Sequence, residues 1–380
     1  ATGSDELNIL CCLFAKHMGT ENTIARVRNP DYAGQSQFLR NDLGISMTVN
    51  PEYETANEIS RIIRFPSAAN LDSFAGGRVE IARVRIHSDN PLCDMPIHEM
   101  RKKTKAKVII CAVQRNDSVF IPSGDFVLHC DDVISITGTR AELSSFMKQT
   151  GVYKQKIKNV MIVGGGRIAY YLAKLLSDTG RNIKLIELKD ERCRHMSDML
   201  DDVTVIHGDG TDQDILEEQC IDGQDALIAL TGIDEENIIV SMYAESKGVN
   251  KVITKVNRHS YSILNDIGLE TVVSPQIVAG NLVTRYVRAL HNSAGNSQIQ
   301  TLYKLVGGKG EAAEFIVPED AGYLNIPFKE LELMPNLLIG CIIRNGKIIF
   351  PGGDDVMKAN DSVIVVTAGR IIEDLHDIFM

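Results

Sequence analysis

The chain has 380 residues, 44% of them apolar, no tryptophan and a formal net charge of −10. That length suggests two to four domains of roughly 100–200 residues each, with apolar material enough for buried cores. The acidic balance argues against nucleic acid, which needs a basic face to neutralise phosphates. No apolar run approaches the roughly 18–20 residues that cross a bilayer, and no signal peptide is visible from Ala1. Cys11, Cys12, Cys93, Cys111, Cys130, Cys193, Cys220 and Cys341 form no C-x-x-C and fall mostly in apolar runs, which reads as reduced thiols in a cytosolic protein. The nine histidines show no metal-ligand spacing, so no metal site is expected.

The chain opens on Thr2-Gly3-Ser4-Asp5-Glu6-Leu7-Asn8, which returns as Thr231-Gly232-Ile233-Asp234-Glu235-Glu236-Asn237. The match stays in step through Phe14/Tyr243, Ala15/Ala244, Gly19/Gly248, Ile24/Ile253, Val27/Val256 and Tyr32/Tyr261. It recurs at Arg115-Asn116 against Arg344-Asn345, the same 229-residue interval as Thr2 to Thr231. Solenoid units run to roughly 20–50 residues, so this is a duplicated domain pair. Residues 1–66 read as the helix–strand–helix–strand–helix end of a nucleotide-binding unit, with Pro51 answering Pro275 and Arg61 answering Arg285. Residue 1 aligns with residue 230, deep inside that unit, which predicts a native chain starting about 70 residues earlier. Such a fragment is expected to leave a sheet edge and a core face open.

Residues 67–77 read as a hinge, and 79–150 as a small lobe. The lobe has a Pro-bearing segment at Met95-Pro96-Ile97-His98-Glu99, an Arg-Asn turn, a Pro-x-Gly-Asp turn and a closing strand at Val133–Thr137. Residues 299–380 repeat that order, with Ile326-Pro327-Phe328-Lys329-Glu330 and Ser362–Val366, after a second hinge at 291–297. Both lobes are expected to be compact and α+β. Asp132 and Asp361 match across the repeat, and an Asp in the turn before a strand reads as structural.

The most specific chemistry lies in 158–210, within the stretch 156–292. Asn159–Val163 is a short apolar run, readable as a buried parallel strand, and it enters Gly164-Gly165-Gly166-Arg167-Ile168-Ala169 before a helical stretch. This is G-x-G-x-x-A between strand and helix. The first glycine permits the tight turn, the second lets backbone approach a pyrophosphate, and small Ala169 allows close helix–strand contact. A second strand ends in Glu187, 23 residues beyond Gly164, where a carboxylate meets ribose hydroxyls. Glu187 would repel a 2′-phosphate, which favours NAD or an adenine nucleotide over NADP. A third strand leads to Gly208-Asp209-Gly210-Thr211, and a fourth ends at Thr231-Gly232, loops placed to line the crevice. Asp234 is placed to cap the next helix, 235–246. Strands at 251–256 and 271–273 complete six. Arg167, inside the glycine loop, could reach a terminal phosphate or stay solvated.

These motifs, in this order and with the duplication, resemble the RCK (KTN) family of nucleotide-binding domains that regulate potassium conductance. The tandem arrangement is similar to the peripheral regulatory subunits of bacterial Trk-type potassium uptake systems. The resemblance implies an α/β fold: tandem Rossmann-like RCK domains, each followed by a small α+β C-lobe, the first Rossmann unit truncated at its N-terminus. The divisions expected are 1–66, 79–150, 156–292 and 299–380. The residues expected to hold NAD(H) or ATP/ADP are Gly164, Gly165, Gly166, Arg167, Ile168, Ala169, Glu187, Gly208, Asp209, Thr231 and Gly232. The resemblance further implies a cytoplasmic, non-enzymatic homotetramer, peripheral on the inner face of the cell membrane. Its partner there would be a potassium-translocating subunit. Helices at 234–247 and 275–290, with Arg285 and Arg288, and their first-repeat counterparts with Arg61 and Arg64, are expected to form the assembly faces. The rival expectation, which the glycine fingerprint alone permits, is an NAD-dependent oxidoreductase.

Overall fold

The computed structural model describes residues 2–29, 32, 36–64, 70–74, 78–88, 90–116, 118–151, 157–257, 269, 271–293, 299–305, 310–370, 372 and 374–379. The chain divides into two compact units, 1–66 with 155–283 and 67–154 with 284–380. Among the described residues no helix is long and apolar enough to cross a membrane.

In the first unit the N-terminal stretch folds as α1 (Asp5–His17), β1 (Ile24–Arg26), α2 (Ser36–Asn41), β2 (Met47–Val49) and α3 (Pro51–Arg64). Strands β1 and β2 pair in parallel, Ile24 opposite Met47. Ser4 caps α1 by accepting from Leu7 N at 3.2 Å. Pro51 opens α3, at a helix position where its missing N–H leaves no bond unmade. The rest of the unit alternates strand and helix: β3 (Asn159–Val163), α4 (Arg167–Ser177), β4 (Asn182–Glu187), α5 (Asp190–Met199), β5 (Val203–His207), α6 (Gln213–Glu218), β6 (Ala226–Ala229), α7 (Asp234–Ser246), β7 (Lys251–Lys255), β8 (Val272–Val273) and α8 (Pro275–Ser293). The sheet runs β5-β4-β3-β6-β7-β8, every pair parallel. Strands β3 and β6 are apolar and buried because helices cover both faces of such a sheet. The winding reverses at β3, which pairs with both β4 and β6, and a crevice opens beyond the strand ends there.

The expectation that 1–66 leaves its core face open is corrected at α3. Ala56, Ile59, Ile62 and Ile63 are at most 1% exposed and share one core with Tyr170, Tyr171, Leu172 and Leu176 of α4. At about 1.5–3 kcal/mol per buried isoleucine, three of them outweigh any gain from leaving the helix solvated. Polar ties secure the contact: Asn50 Nδ2 donates to Tyr171 Oη at 3.0 Å, Tyr171 Oη to Arg28 O at 3.1 Å and Arg64 Nη2 to Leu175 O at 2.8 Å. The apolar face of α3, expected to serve assembly, is therefore occupied within the chain. The side chains of Arg285 and Arg288 lie outside the described residues.

The second unit holds two five-stranded antiparallel sheets of identical order. One is 70–74, 79–85, 133–138, 109–115, 118–120; the other is 299–305, 310–316, 362–368, 337–344, 347–349. Both carry a bulge at matching positions, at Cys111 and at Gly340. Arg115 and Asp132 form a two-pronged ion pair at 2.8 Å, and Arg344 and Asp361 repeat it at 2.9 and 2.7 Å. The sheets share an apolar cluster that includes Phe74, Ile81 and Cys111 from one and Cys341, Ile343 and Ile364 from the other.

Three expectations need correction here. Part of the first hinge is an edge strand, Asn70–Phe74 paired with Val79–Arg85, and 291–293 end α8; 67–69, 75–77 and 294–297 lie outside the described residues. The first lobe has α-helices at Ile97–Lys103 and Arg140–Gln149, but the described part of the second has only 3-10 turns at Phe328–Glu330 and Leu375–Ile378. Pro335 pushes the residue before it away from helix, and Gly369 stands at φ +74 where the first lobe starts its helix. Cys93 and Cys130, read as thiols, are joined as a disulfide. Cys111, Cys193 and Cys341 are buried free thiols, and burial pushes Cys111 up to about 12.

Candidate functional site

Strand β3 delivers three consecutive glycines to the start of α4, and each is there for a different reason. Gly164 has φ +101, and a Cβ on it would stand 2.9 Å from the Leu230 carbonyl and Thr231 N. Only glycine fits. A Cβ on Gly165 would meet Glu187 Oε2 at 2.9 Å, because Gly165 N donates to that oxygen at 2.7 Å. Gly166 is the N-cap of α4 at φ −78, ψ −177, and a Cβ there would meet nothing within 4 Å. Beyond it the first-turn N–H groups of α4 have no intrahelical partner and face the crevice with the positive end of the helix dipole.

The crevice encloses about 1200 Å³. Of the residues expected from sequence, Gly164, Gly165, Gly166, Arg167, Ile168, Glu187, Asp209, Thr231 and Gly232 line it. Ala169 and Gly208 do not. Ala169 is packed in the core beneath α4, and Gly208 is turned against Ile215, whose Cδ1 would stand 3.0 Å from an added Cβ. Glu187 is 5% exposed, with Oε2 on Gly165 N and Oε1 accepting from Lys189 N at 2.9 Å, so its carboxylate is held beside the glycine loop. Asp209 accepts from Thr211 Oγ1 and Thr211 N, which together hold its carboxyl below the usual range. Arg167 is exposed on the rim.

The structure adds residues that sequence reasoning missed. Lys255, at the end of β7, lines the cavity and donates from Nζ to Thr231 O at 2.6 Å. Burial pulls its ammonium below the usual lysine range, against the opposing pull of Asp234 and Glu52. Arg192, His195 and Asn257 also border the space. From the first repeat come Arg26 and Glu52. The duplication could have found Arg26, since it stands 229 residues before Lys255 and makes the same bond, Nη2 to Thr2 O at 2.6 Å. Glu52 follows Pro51 as Gln276 follows Pro275, and all four line the cavity.

Asp234 is not the cap of α7. It is the first helical residue, Ile233 is the N-cap, and the Asp234 carboxylate accepts from Asn257 N and Nδ2 at 2.9 Å. Asp5 does the same for Arg28 N and Asn29 N at 2.7 and 2.8 Å. Asn8 and Asn237 match as well, each donating from Nδ2 at 3.0 Å to the carbonyl of Arg26 or Lys255. These bonds fix the loop after the fourth strand, and with it the far wall of the crevice.

The TrkA-N domain family matches residues 160–275, the segment that holds the crevice, and the TrkA-C domain family matches twice, at 81–151 and 312–380. The Trk system potassium uptake protein TrkA homolog of Archaeoglobus fulgidus is 30% identical over 380 residues, spanning 100% of this chain and 84% of the relative. The chain belongs to the TrkA family. Trk system potassium uptake protein TrkA of Halomonas elongata is 30% identical over 387 residues, spanning 100% of this chain and 83% of that one. TrkA homolog 2 of Methanosarcina mazei is 28% identical over 390 residues, spanning 100% and 84%. Among solved structures, the GsuK channel superposes with a TM-score of 0.59 at 20% identity, over 96% of this chain and 63% of the channel chain. The GsuK channel bound to NAD gives 0.57, also at 20% identity and over the same shares. That likeness concerns the fold: the TrkA-family architecture of Rossmann-like sheet and paired C-lobes recurs in a channel chain, of which this chain spans 63%.

Proposed function

We propose that this TrkA-family chain is a nucleotide-sensing regulatory subunit, without turnover of its own, that binds NAD(H) or ATP/ADP over Gly164–Gly166. It would act from the cytoplasmic face on a membrane potassium-translocating partner of the Trk type, as a homo-oligomer, in the four-part division 1–66, 79–150, 156–292 and 299–380. The observation that carries the reading is the pairing of Glu187 with the glycine loop. A carboxylate for ribose hydroxyls and a helix N-terminus for phosphates face one cavity at the sheet's switch point. The family's potassium-uptake naming and the NAD-bound GsuK neighbour point the same way.

The walls supplied by Arg26 and Glu52 support a sensing role. A ligand shifts a conformational balance only through unequal affinity for two states, and a cavity that includes 1–66 gives it such a handle. Isothermal titration of the whole chain with NAD, NADH, ATP and ADP tests the reading. Saturable binding of at least one is the expected result, with no loss of NADH over hours in the presence of candidate substrates. Failure of all four to bind rejects the site, and steady NADH consumption favours the oxidoreductase.

A further inference from the structure

We propose that Cys93 and Cys130 of the first small lobe are a reversible thiol–disulfide switch, set by exchange with a low-molecular-weight disulfide. Their Cα atoms lie 5.1 Å apart across 37 residues of chain, inside the range of about 4.4–6.8 Å that a disulfide spans. Each cysteine directly precedes a left-handed residue, Asp94 at φ 55 and Asp131 at φ 67. These two turns flank the short antiparallel pairing of Met95 with Leu128 and Pro96 with Val127. Cys130 is exposed and Cys93 half-buried, so an exchanging partner can reach the pair, whereas Cys111, Cys193 and Cys341 are buried.

The duplication supplies an internal control. The second lobe keeps both left-handed turns, at Asn325 and Asn360, and the equivalent strand bridge, Pro327 with Val356. It keeps the Arg–Asp pair too, and it places Leu324 and Ala359 where the first lobe has cysteines. The lobe geometry therefore stands without a covalent link. A bond that the fold does not require can open and close without unfolding the lobe, and what it changes is how freely residues 97–107, the helix Ile97–Lys103 and the turn that leads into the strand at 109–115, open from the lobe. That segment includes the exposed Arg101, Lys102, Lys103, Lys105 and Lys107.

The chemistry balances as ordinary exchange. The Cys130 thiolate attacks one sulfur of the small disulfide, forming a mixed disulfide and releasing one small thiolate. The Cys93 thiolate then attacks the Cys130 sulfur and releases the second. The two cysteines together lose two electrons and two protons, and both appear in two molecules of small thiol.

The test equilibrates the whole chain in glutathione buffers of graded ratio, traps thiols by alkylation and reads each cysteine by mass spectrometry. The expected result is one joint transition of Cys93 and Cys130, with the other six cysteines alkylated throughout. Tryptic cleavage at 101–107 should slow by roughly tenfold or more in the oxidised form, as loop-closing links of this size restrict opening. Cys93→Leu with Cys130→Ala, the residues of the second lobe, should fold with unchanged circular dichroism and lose the redox dependence of cleavage. The proposal is overturned if the pair stays reduced, or stays oxidised, at every ratio. It is equally overturned if only glutathione adducts form, or if the double variant keeps a redox-dependent cleavage rate. Should the double variant not fold, the link is structural and the switch is rejected.

Discussion

The three glycines of the loop can be told apart by substitution, and Gly166→Val is the decisive change. The backbone at Gly166, φ −78 and ψ −177, is open to any L-residue, and an added Cβ meets no atom within 4 Å. Valine there should leave the fold intact. Reduced freedom of the unfolded chain contributes up to about 1 kcal/mol in its favour, a rise of at most about 2–4 °C for a unit of this size. The new methyls, however, stand over the first turn of α4, where phosphate oxygens would meet the free N–H groups. A hydrogen bond to a charged group is worth about 1.5–3 kcal/mol. Losing two of them is at least about 3 kcal/mol, a fall in affinity of roughly 100-fold or more. Gly164→Ala should behave in the opposite way, lowering the melting temperature first, because φ +101 and a 2.9 Å clash with the Leu230 carbonyl attack the fold itself. Thermal melting and titration calorimetry on both variants separate the two effects. Unchanged nucleotide affinity in a folded Gly166→Val protein would refute the phosphate assignment, and a collapsed melting temperature would refute the reading of open space.

Glu187→Ala should weaken NAD and ATP alike by roughly 1–3 kcal/mol through lost ribose bonds, and equal binding to the parent, measured by calorimetry, would leave this carboxylate only its bonds to Gly165 and Lys189. Burial raises the Asp132 carboxyl, but the bonds from Arg115 and His129 N outweigh it and hold the group below its ordinary 3.8. Stability from this pair is therefore complete above that value and is lost as pH falls through the depressed folded-state value. Arg115→Ala strands a carboxylate whose side chain is 1% exposed, at about 3 kcal/mol, and should move acid unfolding to higher pH by circular dichroism; an unmoved midpoint would show the pair to be inert. Phe14 and Ile239 are 61% and 63% exposed on the repeat-related helices α1 and α7. Phe14→Glu with Ile239→Glu should lower the mass found by light scattering, and a parent chain that is monomeric with and without nucleotide would reject assembly altogether.

What the sequence made legible was local in the chain. The glycine loop could be read because a buried strand, a turn and a helix follow one another within 19 residues, from Asn159 to Ser177. The position of Glu187 could be read because one helix and its two connections fix the distance between neighbouring strand ends. What stayed hidden came from tertiary contact. The α3–α4 core joins residues more than a hundred positions apart, and no periodicity in either helix says which partner its apolar face will meet. Asp234 stands one residue inside its helix, and a carboxylate at a helix start looks like a cap in the sequence because its bonds to Asn257 are made only in the fold. A cysteine pair 37 residues apart carries no spacing signature at all.

The duplication also decides what kind of residue Lys255 is. Arg26 bonds to Thr2 O as Lys255 bonds to Thr231 O, with Asn8 and Asn237 completing the same network beneath each cation. A bond kept in both repeats, Arg26 to Thr2 O and Lys255 to Thr231 O, holds the equivalent loop in each of them. Yet Arg26 and Lys255 line one cavity rather than two. The two repeats thus bring equivalent strand ends to the same space, and a nucleotide over Gly164–Gly166 would feel both cations together with Glu52. Communication between the repeats would then need no long pathway of displaced side chains. The charge of a bound ligand would act directly on two bonds at one cavity, Arg26 to Thr2 O and Lys255 to Thr231 O, each cation on its own carbonyl.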